Sequence, residues 1–124
     1  MDKVLVLSLE ATGYNGAVVL HCQGRTVFRS DARALSSMIS EVLPSARRMV
    51  VDLSAVTSLD NSALGELVLT NMWADAAGYA LKFSNPTEPV RRLLEATNLA
   101  AVLDVHPTVE SALDAMQQDQ VPAA

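Results

Sequence analysis

The segment VVDLSAVTSLDNSALGELV, residues 50–68, contains three structural signals in close succession. An apolar run ending at Leu53 is typical of a buried strand. The polar turn after it leads to Ser62, where a helical pattern of apolar residues begins. A strand followed at once by a helix is the repeating unit of α/β proteins. The segment therefore predicts an α/β fold, and it raises the question of why a serine stands at this helix start between Asp60 and Glu66.

On the N-terminal side, two β-rich runs and one amphipathic helix precede this segment. Runs 4–10 and 17–24 are separated by a turn that contains glycine and asparagine, which predicts an opening hairpin. Apolar residues then recur at three- and four-residue spacing from Ser30, which predicts a helix that ends at Pro44. A third strand over residues 47–53 leads into the segment quoted above.

On the C-terminal side, helices and strands continue to alternate. We predict a helix from Ser62 to Gly78, with an inward stripe formed by Leu64, Leu67, Val68 and Met72. The later elements are a strand over 79–85, a helix capped by Thr87, a short strand over 101–106 and a helix capped by Thr108. The order ββαβαβαβα implies a mostly parallel five-stranded sheet that opens with a β-hairpin, with about four helices. We expect a single domain over residues 1–118 and a frayed C-terminal tail over 119–124.

The composition limits the class of protein. The chain has 124 residues, half of them apolar, which fits one domain with one core. Its net charge of −5 argues against nucleic-acid binding, which needs a basic face. Cys22 is the only cysteine, so no intramolecular disulfide forms, and its place in the second run favours a small core residue. The first apolar run is too short for a signal peptide or a membrane span, so we expect a cytoplasmic protein without membrane insertion.

The sequence carries no familiar catalytic motif. Neither glycine-rich phosphate loop nor G-x-S-x-G elbow is present, and His21 and His106 lack the spacing of a zinc site. Asp52, at the end of a strand, resembles the phosphoacceptor of response-regulator receivers. Those receivers need an acidic pair after the first strand and a late lysine, whereas this chain has only Glu10 there and no lysine after Lys82. We therefore expect no enzyme, no cofactor and no metal site.

Ser62 has two interpretations. A serine before a helix commonly caps it, because the hydroxyl accepts a hydrogen bond from a free backbone N–H group. Asp60 and Asn61 are equally good caps, however, so three successive residues are available for one structural role. This surplus favours a further role for the serine.

Residues 50–65 resemble the central motif of the STAS domain of anti-sigma factor antagonists, and a STAS-type α/β domain is therefore expected. The family motif ends in Asp-Ser-Ser/Thr-Gly-Leu-Gly, where this chain has Asp60-Asn61-Ser62-Ala63-Leu64-Gly65. The resemblance continues through LKFSNPTEPVRRLLEATNLAAVLDV, residues 81–105, and spans nearly the whole chain. Asn61 and Ala63 depart from the family pattern. Glycine at position 63 would allow a close approach of a partner, so the Ala63 methyl group is expected either to meet the partner or simply to stabilise the turn, because alanine favours a helix over glycine.

The resemblance implies a switching protein. Unphosphorylated antagonists of this family bind an anti-sigma factor, often a serine kinase, and thereby release a sigma factor. The kinase phosphorylates a motif residue that corresponds to Ser62, and a metal-dependent serine phosphatase reverses the modification. The implied partner-binding residues are Asp60, Asn61, Ser62, Ala63, Gly65, Glu66 and Leu69.

Two other functions stay open at this point. One is a constitutive STAS subunit of another complex, such as a lipid-transporting ABC system. The other is an enzyme that uses Asp52, Asp60 and Ser62. Leu69 and Trp73 lie off the inward stripe of their helix, where they either cover the edge of the sheet or form part of a docking surface. The sequence leaves the oligomeric state open.

Overall fold

A five-stranded sheet forms the centre of the molecule. The computed structural model describes residues 7–11, 17–22, 26–27 and 29–119. The strands of the sheet lie in the order β1-β2-β4-β6-β7, and their bounds are β1 Leu7–Ala11, β2 Val18–Cys22, β4 Arg48–Asp52, β6 Ala80–Ser84 and β7 Val105–His106. A second, two-stranded sheet joins β3 (Thr26–Val27) and β5 (Ser58–Leu59), neither of which the sequence pattern predicted.

The strand directions confirm the predicted topology. β1 pairs antiparallel with β2, and every later pairing in the large sheet is parallel. The residues of the opening turn lie outside the described residues. Because β7 has only two residues, it pairs with β6 only at Phe83 and Ser84, so the first half of β6 has no neighbour on that side.

The described residues form five helices, one more than the approximately four that the sequence predicted. Their bounds are α1 Arg29–Ala46, α2 Asn61–Ala77, α3 Glu88–Ala96, α4 Ala100–Leu103 and α5 Val109–Asp119. The prediction of a strand over 101–106 was therefore wrong in its first half, which forms α4. The α5 helix reaches one residue into the expected tail, and residues 120–124 lie outside the described residues.

The end of α1 also differs from the prediction. Pro44 lies inside the helix, two residues before its end, and lacks the N–H group that would otherwise bond to the Ser40 carbonyl. The helix ends at Ala46, and the next residue, Arg47, has a left-handed backbone (φ 68°) and donates its N–H to the Leu43 carbonyl at 2.6 Å. Gly78 ends α2 as predicted, also with a positive φ of 84°.

Side chains alternate between the two faces of the sheet. On one face, Leu20, Val51 and Phe83 pack against α1, α2 and α3 in the larger core. On the other face, Val19 and Val50 pack against α5 through Ala112, Leu113 and Met116. The structure thus holds α2, with Ser62 at its start, on the more heavily covered face.

Candidate functional site

Asp60, and not Ser62, caps the helix that follows the central motif. The backbone of Asp60 is extended (φ −81°, ψ 166°), and its Oδ1 accepts a hydrogen bond from the Ala63 N–H at 2.7 Å. α2 begins at Asn61, which makes Ser62 its second residue. The interpretation of Ser62 as the capping residue was therefore wrong. The Ser62 side chain is exposed and its hydroxyl is not needed to start the helix.

Acidic groups flank Ser62 along the chain. Asp60 lies two residues before it, and Glu66 lies one helical turn after it, on the same side of α2. Glu66 also forms an ion pair with Arg33 of α1, with 3.7 Å between the Arg33 Nε and the Glu66 Oε2 atoms. Any negative charge added at Ser62 would therefore meet the positive end of a helix from one direction and carboxylates from two others.

Ala63 does not face a partner. Its side chain is 0% exposed and belongs to the larger core, because position 63 points toward the sheet once Asp60 caps the helix. The expectation that its methyl group meets a partner was wrong. The Ala63 side chain contributes to the internal packing of the core instead.

Gly65 and Leu69 continue the exposed face that starts at Ser62. A Cβ atom placed on Gly65 would meet no other atom within 4 Å, so the fold does not require glycine at this position. Leu69 is 62% exposed. A shallow concavity of about 480 Å³ lies along this face, lined by Ser62, Gly65, Glu66, Val68, Leu69 and Leu99.

The exposed apolar surface extends further along α2. Met72, predicted to point inward, is 57% exposed, and Trp73 is 38% exposed. The inward place belongs to Thr70, whose buried hydroxyl donates to the Glu66 carbonyl at 2.9 Å and accepts from Ser36 at 2.6 Å. The inward stripe of α2 therefore contains the polar residue Thr70 in place of Met72. The pattern of apolar residues alone did not predict this exchange.

Asp52 is held in a hydrogen-bond network apart from the helix start. Its Oδ2 accepts from His21 Nδ1 at 2.6 Å, and its Oδ1 accepts from Asn85 Nδ2 at 3.1 Å and from the Ser54 N–H at 3.0 Å. Burial raises the pKa of Asp52, but these hydrogen bonds outweigh it and hold that pKa below its ordinary value. Asp60 is engaged in capping, so the structure places the two aspartates of the hypothetical enzyme in separate networks.

The single cysteine and the two histidines have structural partners. Cys22 is buried beside Asp52, and burial first, with the Asp52 charge second, raises the pKa of its thiol to about 12. This confirms the interpretation of Cys22 as a core residue. His106 Nε2 lies 2.9 Å from Asp104 Oδ1, and the His21–Asp52 pair joins residues that the sequence separates by 31 positions. Because His21 and Asp52 are far apart in the sequence, the sequence gave no indication that they are hydrogen-bond partners.

Two further features bear on function. Within the described parts of the chain, no helix is long and apolar enough to cross a membrane. Nor do the residues of those parts bring together three or more histidine, cysteine or acidic side chains in a way that could hold a metal ion.

Comparisons with solved structures identify the fold. An anti-sigma factor antagonist from Mycobacterium paratuberculosis is similar at 25% sequence identity and a TM-score of 0.78, with 92% of this chain and 95% of that one covered. SpoIIAA, an anti-sigma factor antagonist solved in its unphosphorylated form, is similar at 20% identity and a TM-score of 0.69, with 91% and 97% covered. A murine anion transporter, Solute Carrier 26 family member A9, gives 13% identity and a TM-score of 0.75, with 94% of this chain but only 23% of the transporter covered.

The family model for the STAS domain matches residues 8–112, which includes the sheet, the capped helix and Ser62. Similar structures include anti-sigma factor antagonists and a domain of an anion transporter, so the fold serves more than one kind of protein. This chain belongs to the STAS domain family.

Proposed function

We propose that this protein is an anti-sigma factor antagonist controlled by phosphorylation of Ser62. The unphosphorylated form binds an anti-sigma factor that is a serine kinase and so releases a sigma factor. The observation that carries the proposal is the exposed Ser62 hydroxyl at the second position of α2, beside a cap that Asp60 supplies independently. The similarity to an antagonist at 25% identity supports the same role.

The helix start tolerates a phosphate. In the modification, the Ser62 hydroxyl oxygen forms a bond to the γ-phosphorus of ATP while the bond to ADP breaks, and a base of the kinase takes the hydroxyl proton. The product carries a charge of about −1.5 to −2. The first N–H groups of α2 and the positive end of its dipole favour that charge, so the fold persists.

The interface, in contrast, does not tolerate the phosphate. A partner that covers Ser62 must desolvate a dianion whose neighbours Asp60 and Glu66 are both acidic. Burying a charge without a compensating partner costs several kcal/mol. Since each 1.4 kcal/mol changes an equilibrium constant tenfold, phosphorylation releases the partner. A metal-dependent serine phosphatase then restores the binding form by hydrolysing the ester.

The proposed partner surface follows the exposed face of α2. It comprises Asp60, Asn61, Ser62, Gly65, Glu66 and Leu69, without the buried Ala63. Gly65 is informative because helix-interior glycine costs roughly 1 kcal/mol relative to alanine, and the fold here gains nothing from it. A close approach of the partner at Gly65 accounts for that cost.

Affinity capture from the cytosol of the source cell tests the proposal. The baits are the wild-type protein, Ser62→Asp, Ser62→Ala and the charge-matched control Gln117→Glu. The control adds one negative charge on the exposed side of α5, which lies on the opposite face of the sheet. We expect a kinase-like ATPase with wild type, Ser62→Ala and Gln117→Glu, and none with Ser62→Asp. Equal capture of the ATPase by all four baits would contradict the switch. A transporter ATPase captured equally by all four would instead support a constitutive STAS subunit.

A further inference from the structure

A second groove lies at the opposite end of α2 from Ser62. It has a volume of about 630 Å³, within the range of pockets that hold small molecules. Its existence follows from the fold, because β7 leaves the first half of β6 without a neighbour and the groove opens beside that half. Asp75 lines it near the end of α2, 13 residues after Ser62 or about 20 Å along the helix. The groove is therefore separate from the proposed kinase-binding surface.

Three cations of this acidic protein meet in the groove. Arg47, Arg48 and Lys82 all line it. The backbone of Arg47 is fixed from both sides, since its N–H donates to the Leu43 carbonyl and its carbonyl accepts from the Ala80 N–H at 3.0 Å. Among the described residues, no carboxylate forms an ion pair with Arg47 or Arg48. Arginine pairs of this kind suit the oxygen atoms of a phosphate group.

The groove is also lined by a buried ion pair and by further polar side chains. Lys82 is buried, with its side chain 6% exposed, and its Nζ lies 2.6 Å from Asp104 Oδ2. Asp104 is half-exposed, and Asp75 and Asn71 line the same groove. Carboxylates repel a simple anion but accept hydrogen bonds from hydroxyl groups. The groove thus offers two arginine cations together with carboxylates that accept hydrogen bonds from hydroxyl groups.

We propose that this groove binds a soluble phosphate ester that carries hydroxyl groups, such as a sugar phosphate. Arg47 and Arg48 hold the phosphate, and Asp75 and Asp104 accept hydrogen bonds from the hydroxyls. The buried Lys82 keeps Asp104 in place and offsets its charge. Neither inorganic phosphate nor an uncharged sugar satisfies both the arginine cations and the carboxylates of the groove.

Backbone amide chemical shifts of the whole protein test the proposal, with glucose 6-phosphate, glucose and inorganic phosphate as probes. We expect glucose 6-phosphate to shift the amides of Asn71 and Tyr79–Lys82 and to bind about tenfold more tightly than either other probe. Arg48→Gln, and Arg47→Asn, whose new side chain suits the left-handed backbone, each weaken binding about tenfold. The control is Arg92→Gln on α3, whose guanidinium pairs with Glu88 away from the groove, and it leaves binding unchanged.

Three outcomes would overturn the proposal. The first is no saturable shift near the groove with glucose 6-phosphate. The second is binding that Arg47→Asn and Arg48→Gln leave intact. The third comes from vesicles of phosphatidylcholine and phosphatidylinositol: shifts of the groove amides with the vesicles but not with glucose 6-phosphate would assign the groove to a lipid headgroup. None of these outcomes depends on the binding of a kinase at Ser62.

Discussion

The Oδ1 atom of Asp60 lies 2.7 Å from the backbone nitrogen of Ala63, and this hydrogen bond caps α2. Replacing Asp60 by alanine removes the acceptor and leaves an unsatisfied N–H at the helix start. We expect Asp60→Ala to lower the free energy of unfolding by about 1 kcal/mol. Ser62→Ala should change it by less than about 0.5 kcal/mol, because Ser62 is exposed and does not cap. Urea denaturation of both variants measures the difference, and equal losses would contradict the assignment of the cap.

Gly65→Ala separates stability from binding. The added methyl group meets no atom of the fold, and alanine favours a helix interior over glycine by roughly 1 kcal/mol. We expect a more stable protein that captures the kinase-like partner less well. Gly78→Ala is the control, because its φ of 84° strains alanine and should destabilise the protein. Unchanged capture by Gly65→Ala would show that no partner approaches closely at that position.

Leu69 and Leu67 provide a matched pair on α2. Leu67 is buried, so Leu67→Ala should cost about 2–5 kcal/mol of stability. Leu69 is exposed, so Leu69→Ala should cost less than about 0.5 kcal/mol and yet weaken partner capture about tenfold. Trp73 is the only tryptophan, so its fluorescence follows unfolding of both variants. Full capture by Leu69→Ala would remove this residue from the docking surface.

Acidification should weaken the fold through Asp52. Its pKa lies below the ordinary value of 3.8, so its ionised form contributes stability above that value, and the contribution is lost as the pH falls through the lowered pKa. We expect Asp52→Asn to destabilise the protein at neutral pH and the difference from wild type to shrink below about pH 4. Asp114→Asn, on the exposed side of α5, is the control for removal of a carboxylate. A difference that stays constant from neutral to acidic pH would contradict the role of the Asp52 network.

Cys22 should be inert in the folded protein. Its thiol is buried and its pKa is raised to about 12, so very little thiolate is present at neutral pH. We expect a thiol reagent such as dithionitrobenzoate to react with Cys22 only as fast as the protein unfolds, and at once in denaturant. Rapid reaction of the native protein at neutral pH would show that β2 opens locally.

Periodicity accounts for most of what the sequence predicted correctly. Two-residue alternation gave the opening strands, and three- and four-residue spacing gave the long helices, because these periods decide which side chains reach the core. The errors in element boundaries arose in segments that are too short for these periods to be recognised. AAVL, residues 100–103, is apolar and short, so its pattern suits a strand as well as the helical turn that it forms. The two-residue strands β3 and β5 are too short to leave any pattern.

Hydrogen bonds between distant residues account for the remaining differences. Thr70 occupies a core position because Ser36 and the Glu66 carbonyl satisfy its hydroxyl, so a polar residue stands where the pattern placed Met72. The network around Asp52 joins residues of two strands, β2 and β4, to residues of the loops that follow β4 and β6. The position of Ser62 could be predicted, but the choice of Asp60 as the cap depends on backbone angles that three similar neighbouring residues do not determine.

Because a different residue starts the helix, position 62 is free to change without a penalty in folding. Under the proposed switch, a lineage that acquires or loses a hydroxyl there would alter its regulation while its fold stays the same. Such a position accumulates substitutions easily and lets a permanently active form and a switchable form descend from one another in single steps. The same freedom makes residue 62 a convenient place to install a permanently open or closed state in an engineered signalling circuit.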